Sequence, residues 1–260
     1  MIISVFVAQF PISFSIQENL DTIIELLDQT RSGELVVFPE GSVSGYSTDM
    51  SFLDQINQPE LEAGFELLRN EASKRKIYLW VGACLKENGF WTNAAYGFSP
   101  DNDDNIYRKI NLAQHERGIF LAGRELPVFK KVTQRETVSI GVQLCRELRY
   151  PEQWGWLVRC GAQFILHLNN AIGDESYQPV WRSHLISRAA ETQRFVISVN
   201  NAAPQQKCPT IIIDPNGQVL GEVVSDMAAV LRAELDLSLV SNSNLNQCRN
   251  DVIVITPPND

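Results

Sequence analysis

The chain alternates between short apolar runs and segments with helical periodicity, and this alternation restricts the fold more than any other feature of the sequence. Residues 35–38 read Leu-Val-Val-Phe and are ended by Pro39, and residues 77–83 form another apolar run. Strands inside a parallel sheet are covered on both faces and therefore lack a polar side. Apolar residues recur at helical spacing in 20–27, after the first strand. The pattern predicts an α/β fold built on parallel strands.

Further elements continue this alternation. Strands are predicted at 2–10, 35–38, 77–83, 92–98, 106–109, 138–144, 163–168, 195–199, 210–214, 218–223 and 230–235, and helices after Ser15 and at 61–72, 151–160 and 181–192. Ser15 and Glu18 have the spacing of a capping box. Polar turns at 99–105 and 215–217 predict two antiparallel strand pairs. No repeat or linker interrupts the pattern, so one domain over 1–260 is expected.

Composition excludes several classes of function. The chain has 22 basic and 31 acidic residues, a net charge of −9, which disfavours nucleic acid and anionic membranes as partners. No apolar run approaches the roughly 20 residues of a membrane span, and the N-terminus lacks the basic flank of a signal peptide, so a cytoplasmic protein is expected. Five scattered cysteines without a CxxC pair, and three histidines without metal-ligand spacing, predict no disulfide framework and no metal. Phosphate-binding glycine motifs are also absent from the sequence, and no cofactor is expected.

Glu40, Lys109 and Cys145 each stand at the carboxyl end of a predicted strand. Ligands of α/β folds bind at these ends, so the three side chains are expected to meet. A helix predicted from Pro151 begins shortly after Cys145, and its positive end would lower the pKa of the thiol. A carboxylate, an ammonium and a thiolate together suit acyl transfer. From the residues alone this idea is weak, and a capping glutamate, a solvated lysine and a structural cysteine stay open as the alternative.

Three segments, in this order, resemble the motifs of the carbon–nitrogen hydrolase (nitrilase) superfamily. They are Phe38-Pro39-Glu40-Gly41-Ser42-Val43-Ser44-Gly45-Tyr46, then Tyr107-Arg108-Lys109-Ile110-Asn111-Leu112, then Gly141-Val142-Gln143-Leu144-Cys145-Arg146-Glu147-Leu148-Arg149-Tyr150-Pro151-Glu152. The resemblance covers nearly the whole chain, from Ala8 to Gly217. It implies a four-layer α-β-β-α sandwich of the nitrilase type, with two sheets face to face and helices outside. It also implies a homodimer or a larger homo-oligomer.

The resemblance further implies roles for the site residues. In that family the glutamate of the first segment is the general base, the lysine of the second stabilises the tetrahedral intermediate, and the cysteine of the third is the nucleophile. These roles fall to Glu40, Lys109 and Cys145, and Glu116 matches a second glutamate that orients the site. The implied reaction is hydrolysis of a small, non-peptide amide to a carboxylic acid and ammonia or an amine, through a cysteine thioester and without a cofactor.

Residues close to the nucleophile bear on the substrate. Nitrile-cleaving relatives typically carry tryptophan directly after the nucleophile, whereas this chain has Arg146, which favours amides. The backbone N–H of Arg146 is an oxyanion donor by analogy with the family. Its guanidinium either binds a substrate carboxylate, or faces solvent or pairs with a nearby glutamate. Asn169 and Asn170 follow the strand 163–168 and either line the pocket as substrate-binding residues or serve as turn residues.

Three other polar side chains near these motifs are expected to be structural. Arg149 and Arg188 are interpreted as members of ion pairs that brace the loop after the cysteine. His167 lies within a predicted buried strand and is interpreted as a core histidine whose hydrogen bonds are satisfied.

Two alternative functions remain open from the sequence. An N-carbamoyl hydrolase would use the same residues and differ only in the shape of its pocket, and it would release carbon dioxide together with ammonia. A catalytically idle homologue would serve as a binding protein, and its Cys145 would fail to react with a small electrophile at neutral pH.

Overall fold

The computed structural model describes residues 1–101, 103–132, 137–173 and 175–247. These residues contain two six-stranded sheets and the helices that accompany them. The strands are β1 Ile2–Gln9, β2 Leu35–Val37, β3 Tyr78–Glu87, β4 Phe90–Phe98, β5 Asn105–Arg108, β6 Val128–Val132, β7 Thr137–Leu144, β8 Phe164–Leu168, β9 Phe195–Val199, β10 Thr210–Ile213, β11 Val219–Val223 and β12 Ala229–Asp236. The α-helices are α1 Ile16–Leu27, α2 Gln58–Arg75, α3 Pro151–Arg159, α4 Gln178–Thr192 and α5 Ser243–Gln247.

The two sheets share one plan. The first has the order β12-β1-β2-β3-β4-β5 and the second β11-β10-β9-β8-β7-β6. In the first sheet β1, β2 and β3 are parallel, and in the second β7, β8 and β9 are parallel, while the outer strands are antiparallel. The predicted parallel strands and both predicted antiparallel pairs, β4 with β5 and β10 with β11, are therefore confirmed.

The sheets pack face to face, and the helices cover their outer faces. Along β1, Val5 and Val7 belong to the core between the sheets, whereas Phe6 and Ala8 pack with α1 and α2. This alternation is the period of two that a strand imposes on its side chains. The helices α3 and α4 cover the second sheet in the same way, around the fully buried Trp154. The four-layer α-β-β-α sandwich is confirmed.

Local signals in the sequence hold in most of their detail. The hydroxyl of Ser15 accepts the backbone N–H of Glu18 at 3.3 Å and caps α1. The carboxylate of Glu18 accepts the hydroxyl of Ser13 at 2.8 Å rather than the backbone N–H of Ser15, which donates to the Ser13 hydroxyl. The reciprocal half of the predicted capping box is therefore wrong, because the Ser13 hydroxyl binds both the Glu18 carboxylate and the Ser15 N–H. Gly161, just past α3, has a φ of +94°, as expected for a helix C-terminus.

Some features lie beyond the sequence predictions. Strand β6 was not predicted, and no helix was predicted where α5 lies, in the polar segment after Leu237. Four of the five cysteines are free thiols, while Cys248 lies outside the described residues. Residues 248–260 also lie outside them, so the single domain over 1–260 stays a prediction. None of the helices in the described ranges has the length and apolarity needed to cross a bilayer.

Strand β6 was not predicted because its sequence includes Lys131, and a lysine is rarely buried in a strand. The Nζ of Lys131 donates to the carbonyl oxygen of Gly33 at 2.8 Å and lies 4.3 Å from the centre of the Tyr78 ring, both next to the first sheet. Burial lowers the pKa of Lys131 to about 8, and the nearby Glu34 acts in the opposite direction. A buried lysine thus ties the edge of the second sheet to the first.

The Lys131→Met variant tests this burial. The unfolded state holds the lysine proton more tightly than the folded state between about pH 8 and pH 10.5, so the lysine costs most stability at lower pH. We expect the free energy of unfolding of the variant minus that of wild type to be about 2 kcal/mol larger at pH 7 than at pH 10, so that the substitution favours the folded state more at pH 7. Urea titrations at both pH values measure the difference, with Lys130→Met at the exposed neighbouring position as the control. A difference that does not change with pH would contradict the assignment.

Candidate active site

The structure brings Glu40, Lys109 and Cys145 to one end of the interface between the two sheets. Glu40 lies in the turn after β2 and Lys109 directly follows β5, both in the first sheet, whereas Cys145 directly follows β7 in the second. Each residue thus stands at a strand end, where the polypeptide leaves the packed core. The site therefore requires both sheets, packed with these strand ends next to each other.

A buried charge cluster lies at the centre of the site. The ammonium of Lys109 donates to Oε1 of Glu40 at 2.8 Å and to Oε1 of Glu116 at 2.9 Å, and the three side chains are at most 1% exposed. The amide of Asn93 donates to the same two oxygens, at 2.8 Å each. The cluster carries two negative charges and one positive charge in a low-dielectric environment, where each interaction is strong.

The surroundings stabilise the charged forms of this cluster. Burial disfavours the charge of Lys109, but the two carboxylates outweigh it and raise the pKa of Lys109. Burial alone would raise the pKa of Glu116, yet Lys109 and the hydrogen bonds from Tyr46 and Ala113 bring it below its usual value. The Tyr46 hydroxyl donates to Glu116 at 2.7 Å, and the Ala113 N–H donates at 2.5 Å. Lys109 therefore stays protonated across the physiological range.

A close approach of β3 fixes the turn that carries Glu40. The N–H of Gly82 donates to the carbonyl of Pro39, and its own carbonyl accepts the N–H of Val43, both at 3.1 Å. A Cβ at position 82 would lie 2.5 Å from Cα of Glu40, so only glycine fits. These contacts hold the turn of Glu40 against β3.

Cys145 occupies a strained backbone conformation. Its φ is +41°, in the left-handed region that residues with a side chain rarely adopt. Such strain persists only where neighbouring interactions hold it, and it is concentrated at functional sites. The residue as a whole is partly exposed.

The buried carboxylate of Glu147 joins the segments that carry Lys109 and Cys145. It accepts the backbone N–H of Leu144 at 2.8 Å, and those of Ile110 and Asn111 at 2.8 and 3.0 Å. It also accepts the hydroxyl of Tyr107. Glu147 was not predicted to have this role, and its position two residues after Cys145 was the available signal.

The environment of the Cys145 thiol differs from the sequence prediction. Burial raises its pKa, and the charge of Glu40 raises it further, while Lys109 opposes them incompletely. The prediction of a thiolate stabilised by the α3 N-terminus is therefore wrong. The reason is that α3 begins only at Pro151, whereas the charges that act on the buried thiol are those of Glu40, Lys109 and Glu116. The resting side chain is a neutral thiol.

A small cavity of about 180 Å³ opens above Cys145. Its lining consists of Tyr46, Thr48, Ala113, His115, Cys145, Arg146, Arg149, Asn170, Ala171, Ile172, Tyr177 and Trp181. Two arginines and no carboxylate line this space, although the whole chain is acidic. Among the described residues, Arg146 and Arg149 form no ion pair, and Nε of Arg146 is buried without a hydrogen-bond partner. The guanidinium of Arg149 instead lies 5.5 Å from the centre of the Tyr177 ring.

The structure corrects the interpretation of two polar side chains near the cavity. Arg188 forms the expected ion pair, with Glu191 at 2.7 Å, and braces the carbonyl of Leu148, but Arg149 faces the cavity unpaired by any described carboxylate. Asn169 was expected to line the pocket with Asn170, yet its side chain is fully buried and points towards Ser198. Successive residues at a strand end point to opposite sides, so only Asn170 reaches the cavity.

Asn170 contacts the charge cluster as well as the cavity. Its backbone N–H donates to Oε2 of Glu40 at 3.1 Å, and its side-chain amide donates to the Glu40 carbonyl at 3.3 Å.

Within the ranges that the structure covers, no three histidine, cysteine or acidic side chains are arranged as metal ligands.

Comparisons with known proteins agree with this architecture. The family model described as carbon-nitrogen hydrolase matches residues 5–244. An (R)-stereoselective amidase of a Pseudomonas species is 26% identical over 230 residues, 86% of this chain and 80% of its own length. A 2-oxoglutaramate amidase of Bacillus subtilis is 28% identical over 244 residues, 88% of this chain and 89% of its own length.

Solved structures show the same fold. Saccharomyces cerevisiae Nit3, described as a member of branch 10 of the nitrilase superfamily, aligns with a TM-score of 0.78 at 25% identity, covering 96% of both chains. A carbon-nitrogen hydrolase from Helicobacter pylori G27 aligns with a TM-score of 0.83 at 20% identity, covering 96% of this chain and 97% of its own.

The Lys109→Met variant tests the charge cluster. The substitution leaves two adjacent buried carboxylates without a cation, so their folded-state pKa values must rise above those in the unfolded chain. The variant should then lose stability as pH rises, with a loss of about 3–5 kcal/mol at pH 8 and a smaller loss at pH 5.

Urea unfolding at the two pH values measures this, with Lys86→Met, an exposed lysine over the Trp91 ring, as the control that changes stability by less than about 0.5 kcal/mol. An equal loss at both pH values would show that the lysine does not balance the carboxylates.

Proposed function

The chain belongs to the carbon–nitrogen hydrolase family, and from that premise we propose that it hydrolyses a small linear amide through a thioester on Cys145. The observation that carries the proposal is a partly exposed cysteine in strained backbone, in a small cavity beside a buried carboxylate–lysine–carboxylate cluster. Its relatives include proteins named as amidases. We also propose that the chain acts as one domain, because both sheets contribute to the site.

Glu40 is the general base in this proposal, and its hydrogen bonds single out one oxygen. Oε1 accepts donors from both Lys109 and Asn93, whereas Oε2 accepts only the N–H of Asn170 among the described residues. Oε2 therefore has room to accept the proton of the Cys145 thiol. Glu116 accepts three donors on Oε1 and the Ala113 N–H on Oε2, and its charge acts on the Cys145 thiol less than that of Glu40 does, so we assign Glu116 the role of orienting the cluster.

Proton transfer inside the site removes the difficulty of the raised thiol pKa. When the proton moves from Cys145 to Glu40, one negative charge is exchanged for another and the net charge of the buried site does not change. A proton released to solvent would instead add a second net negative charge, which burial opposes. Attack by sulfur on the amide carbonyl is thus coupled to protonation of Glu40.

Lys109 and a backbone N–H then stabilise the oxyanion. An ammonium has three donors, and only two of those of Lys109 have acceptors within the described part of the site. The third is available for the developing oxyanion, together with the backbone N–H of Arg146.

The reaction is completed by three further proton transfers that involve Glu40. The protonated carboxyl gives its proton to the leaving nitrogen as the C–N bond breaks, so ammonia or an amine departs and the acyl group stays on sulfur. A water molecule then gives a proton to Glu40, attacks the thioester, and releases the carboxylic acid. The returning proton regenerates the thiol of Cys145.

The Cys145→Ala variant tests the class of reaction. We expect wild type to release ammonia without carbon dioxide from one group within a panel of aliphatic amides, ω-amides of dicarboxylic acids, N-carbamoyl amino acids and nitriles. Removal of the nucleophile should lower turnover by about 10⁴-fold or more. Cys208→Ala, which removes a buried thiol elsewhere, is the control and should retain activity.

Three results would contradict the proposal. Turnover that survives in Cys145→Ala would exclude the thioester. Release of carbon dioxide with ammonia from N-carbamoyl amino acids alone would assign the carbamoyl hydrolase. No turnover of any compound, with a Cys145 that iodoacetamide does not alkylate, would assign the idle homologue.

We propose further that the substrate carries a carboxylate at the end remote from the amide. The cavity is small and presents the guanidinium groups of Arg146 and Arg149, neither of which has a described carboxylate partner. A guanidinium binds a carboxylate through two parallel hydrogen bonds, and a partly buried one with free donors gains most from such a partner. One relative is named for 2-oxoglutaramate, an amide of this type.

The Arg146→Ala variant tests this substrate class. We expect KM for succinamate to rise by about 10- to 100-fold, because a charge-assisted pair of hydrogen bonds is lost. KM for the neutral butyramide should stay within about threefold, and the exposed Arg31→Ala is the control variant. An unchanged KM for succinamate would refute the role of Arg146.

The homo-oligomeric state stays a prediction from the family. Trp156 on α3 and Val180 on α4 are large apolar side chains that are 60% and 47% exposed on the outer layer. Contact between copies of the chain would cover them.

A further inference from the structure

A buried histidine lies directly behind the proposed nucleophile. His167, on β8, is fully buried, and its Nε2 lies 2.9 Å from the carbonyl oxygen of Cys145. Its Nδ1 lies 3.1 Å from Oγ of Ser198 and 3.0 Å from the side-chain nitrogen of Asn169. The ring centre is 5.6 Å from that of Trp154 and 6.2 Å from that of Trp181, so its position is closely confined.

The contacts determine the protonation state of His167. A carbonyl oxygen can only accept, so Nε2 carries the hydrogen and Nδ1 is an acceptor for Ser198 or Asn169. Burial lowers the pKa of His167 to about 3, and the charges of Lys109 and Arg188 act in the same direction. At neutral pH the ring is therefore uncharged and donates to the carbonyl of Cys145 at all times.

This hydrogen bond acts on a peptide group that the proposed reaction uses. The carbonyl of Cys145 and the N–H of Arg146 belong to one planar, trans peptide unit, so they point in opposite directions. A donor that holds the oxygen on the buried side directs the N–H away from β8, towards the cavity. Arg146 is in the first turn of the 3₁₀ helix Cys145–Arg149, where N–H groups lack partners inside the helix.

The same strand end also holds the base. The backbone carbonyl of Asn169 accepts the N–H of Glu40 at 3.2 Å, and the N–H of Asn170 donates to Oε2 of that carboxylate. Residues 167–170 therefore contact both the peptide after the nucleophile and the general base. A shift of this strand end would move the two together, whereas the loss of the imidazole alone would free only the peptide.

We propose that His167 is a positioning residue that aims the Arg146 N–H at the oxyanion by holding the carbonyl oxygen of Cys145. The inference rests on the proposed function, since it concerns the oxyanion of the same reaction. It gives His167 a role beyond that of a core histidine with satisfied hydrogen bonds. It also explains how the strained backbone of Cys145 is kept in one orientation.

Two reactions of Cys145 separate this role from a general structural one. Amide hydrolysis passes through an oxyanion, whereas alkylation by iodoacetamide displaces iodide at a methylene carbon and forms none. For His167→Leu we expect kcat for the amide to fall by about 100-fold, the typical effect of losing one oxyanion donor, with KM within about threefold. The alkylation rate should also stay within about threefold.

Conservative variants complete the test. His167→Gln places an amide donor near the position of Nε2 and should restore kcat to within about tenfold of wild type, whereas the shorter His167→Asn should not. If His167→Leu does not fold, this pair carries the comparison. Ile165→Val, on the same face of β8, is the control for a packing change in that strand.

The outcomes distinguish this inference from the proposed function. An unchanged kcat in a folded His167→Leu, or equal losses in kcat and in alkylation rate, would overturn the inference alone. A failure of His167→Gln to exceed His167→Asn would also overturn it. If wild type shows no Cys145-dependent hydrolysis of any amide, the proposed function fails and the inference fails with it.

Discussion

The site depends on one interaction, the burial of the Lys109 ammonium between the carboxylates of Glu40 and Glu116. Taking three charges out of water costs several kcal/mol for each ion unless close partners and hydrogen bonds compensate. Here the compensation comes from Asn93, which bridges both carboxylates, and from further donors, so that each of the four carboxylate oxygens accepts at least one hydrogen bond. Oε2 of Glu40 accepts one hydrogen bond, from the backbone of Asn170, and the proposed reaction uses this oxygen as the proton acceptor.

The sandwich serves this cluster by bringing two sheets to a common edge. Neither sheet contains the whole site, because the first supplies Glu40 and Lys109 and the second supplies Cys145. Glu147 joins the two by binding backbone N–H groups on both sides, and Gly82 lets β3 pass close beneath the turn of Glu40. Buried polar groups of this kind are held to narrow geometries, since each lost partner leaves an unsatisfied donor or acceptor. The packing of the two sheets therefore also determines the geometry of the side chains proposed to act in catalysis.

The alternation of elements predicted the parallel strands, and the strand ends predicted the meeting of the three side chains, because both are local properties of the sequence. The four layers were implied by the resemblance to the family. The sequence could not predict that Cys145 is a neutral thiol, because the pKa depends on distances to charges contributed by other strands. Asn169 and Asn170 illustrate a second limit, since adjacent residues at a strand end diverge and the sequence does not say which one faces the cavity. A buried polar residue inside an apolar strand is a usable signal, and Asn93 and His167 both carry it. Their partners became evident only when the sheets were placed together.

The central claim is that burial, together with the charge of Glu40, keeps the resting thiol of Cys145 neutral, and that Glu40 accepts its proton only as attack begins. The most direct measurement is the ultraviolet absorbance of the thiolate, taken as the difference between wild type and Cys145→Ala during a pH titration. The account predicts no thiolate absorbance at pH 7 and its appearance only above the ordinary range of a cysteine, near pH 8.5. A full thiolate signal at pH 7 would contradict it, since Cys145 would then be charged before substrate binds.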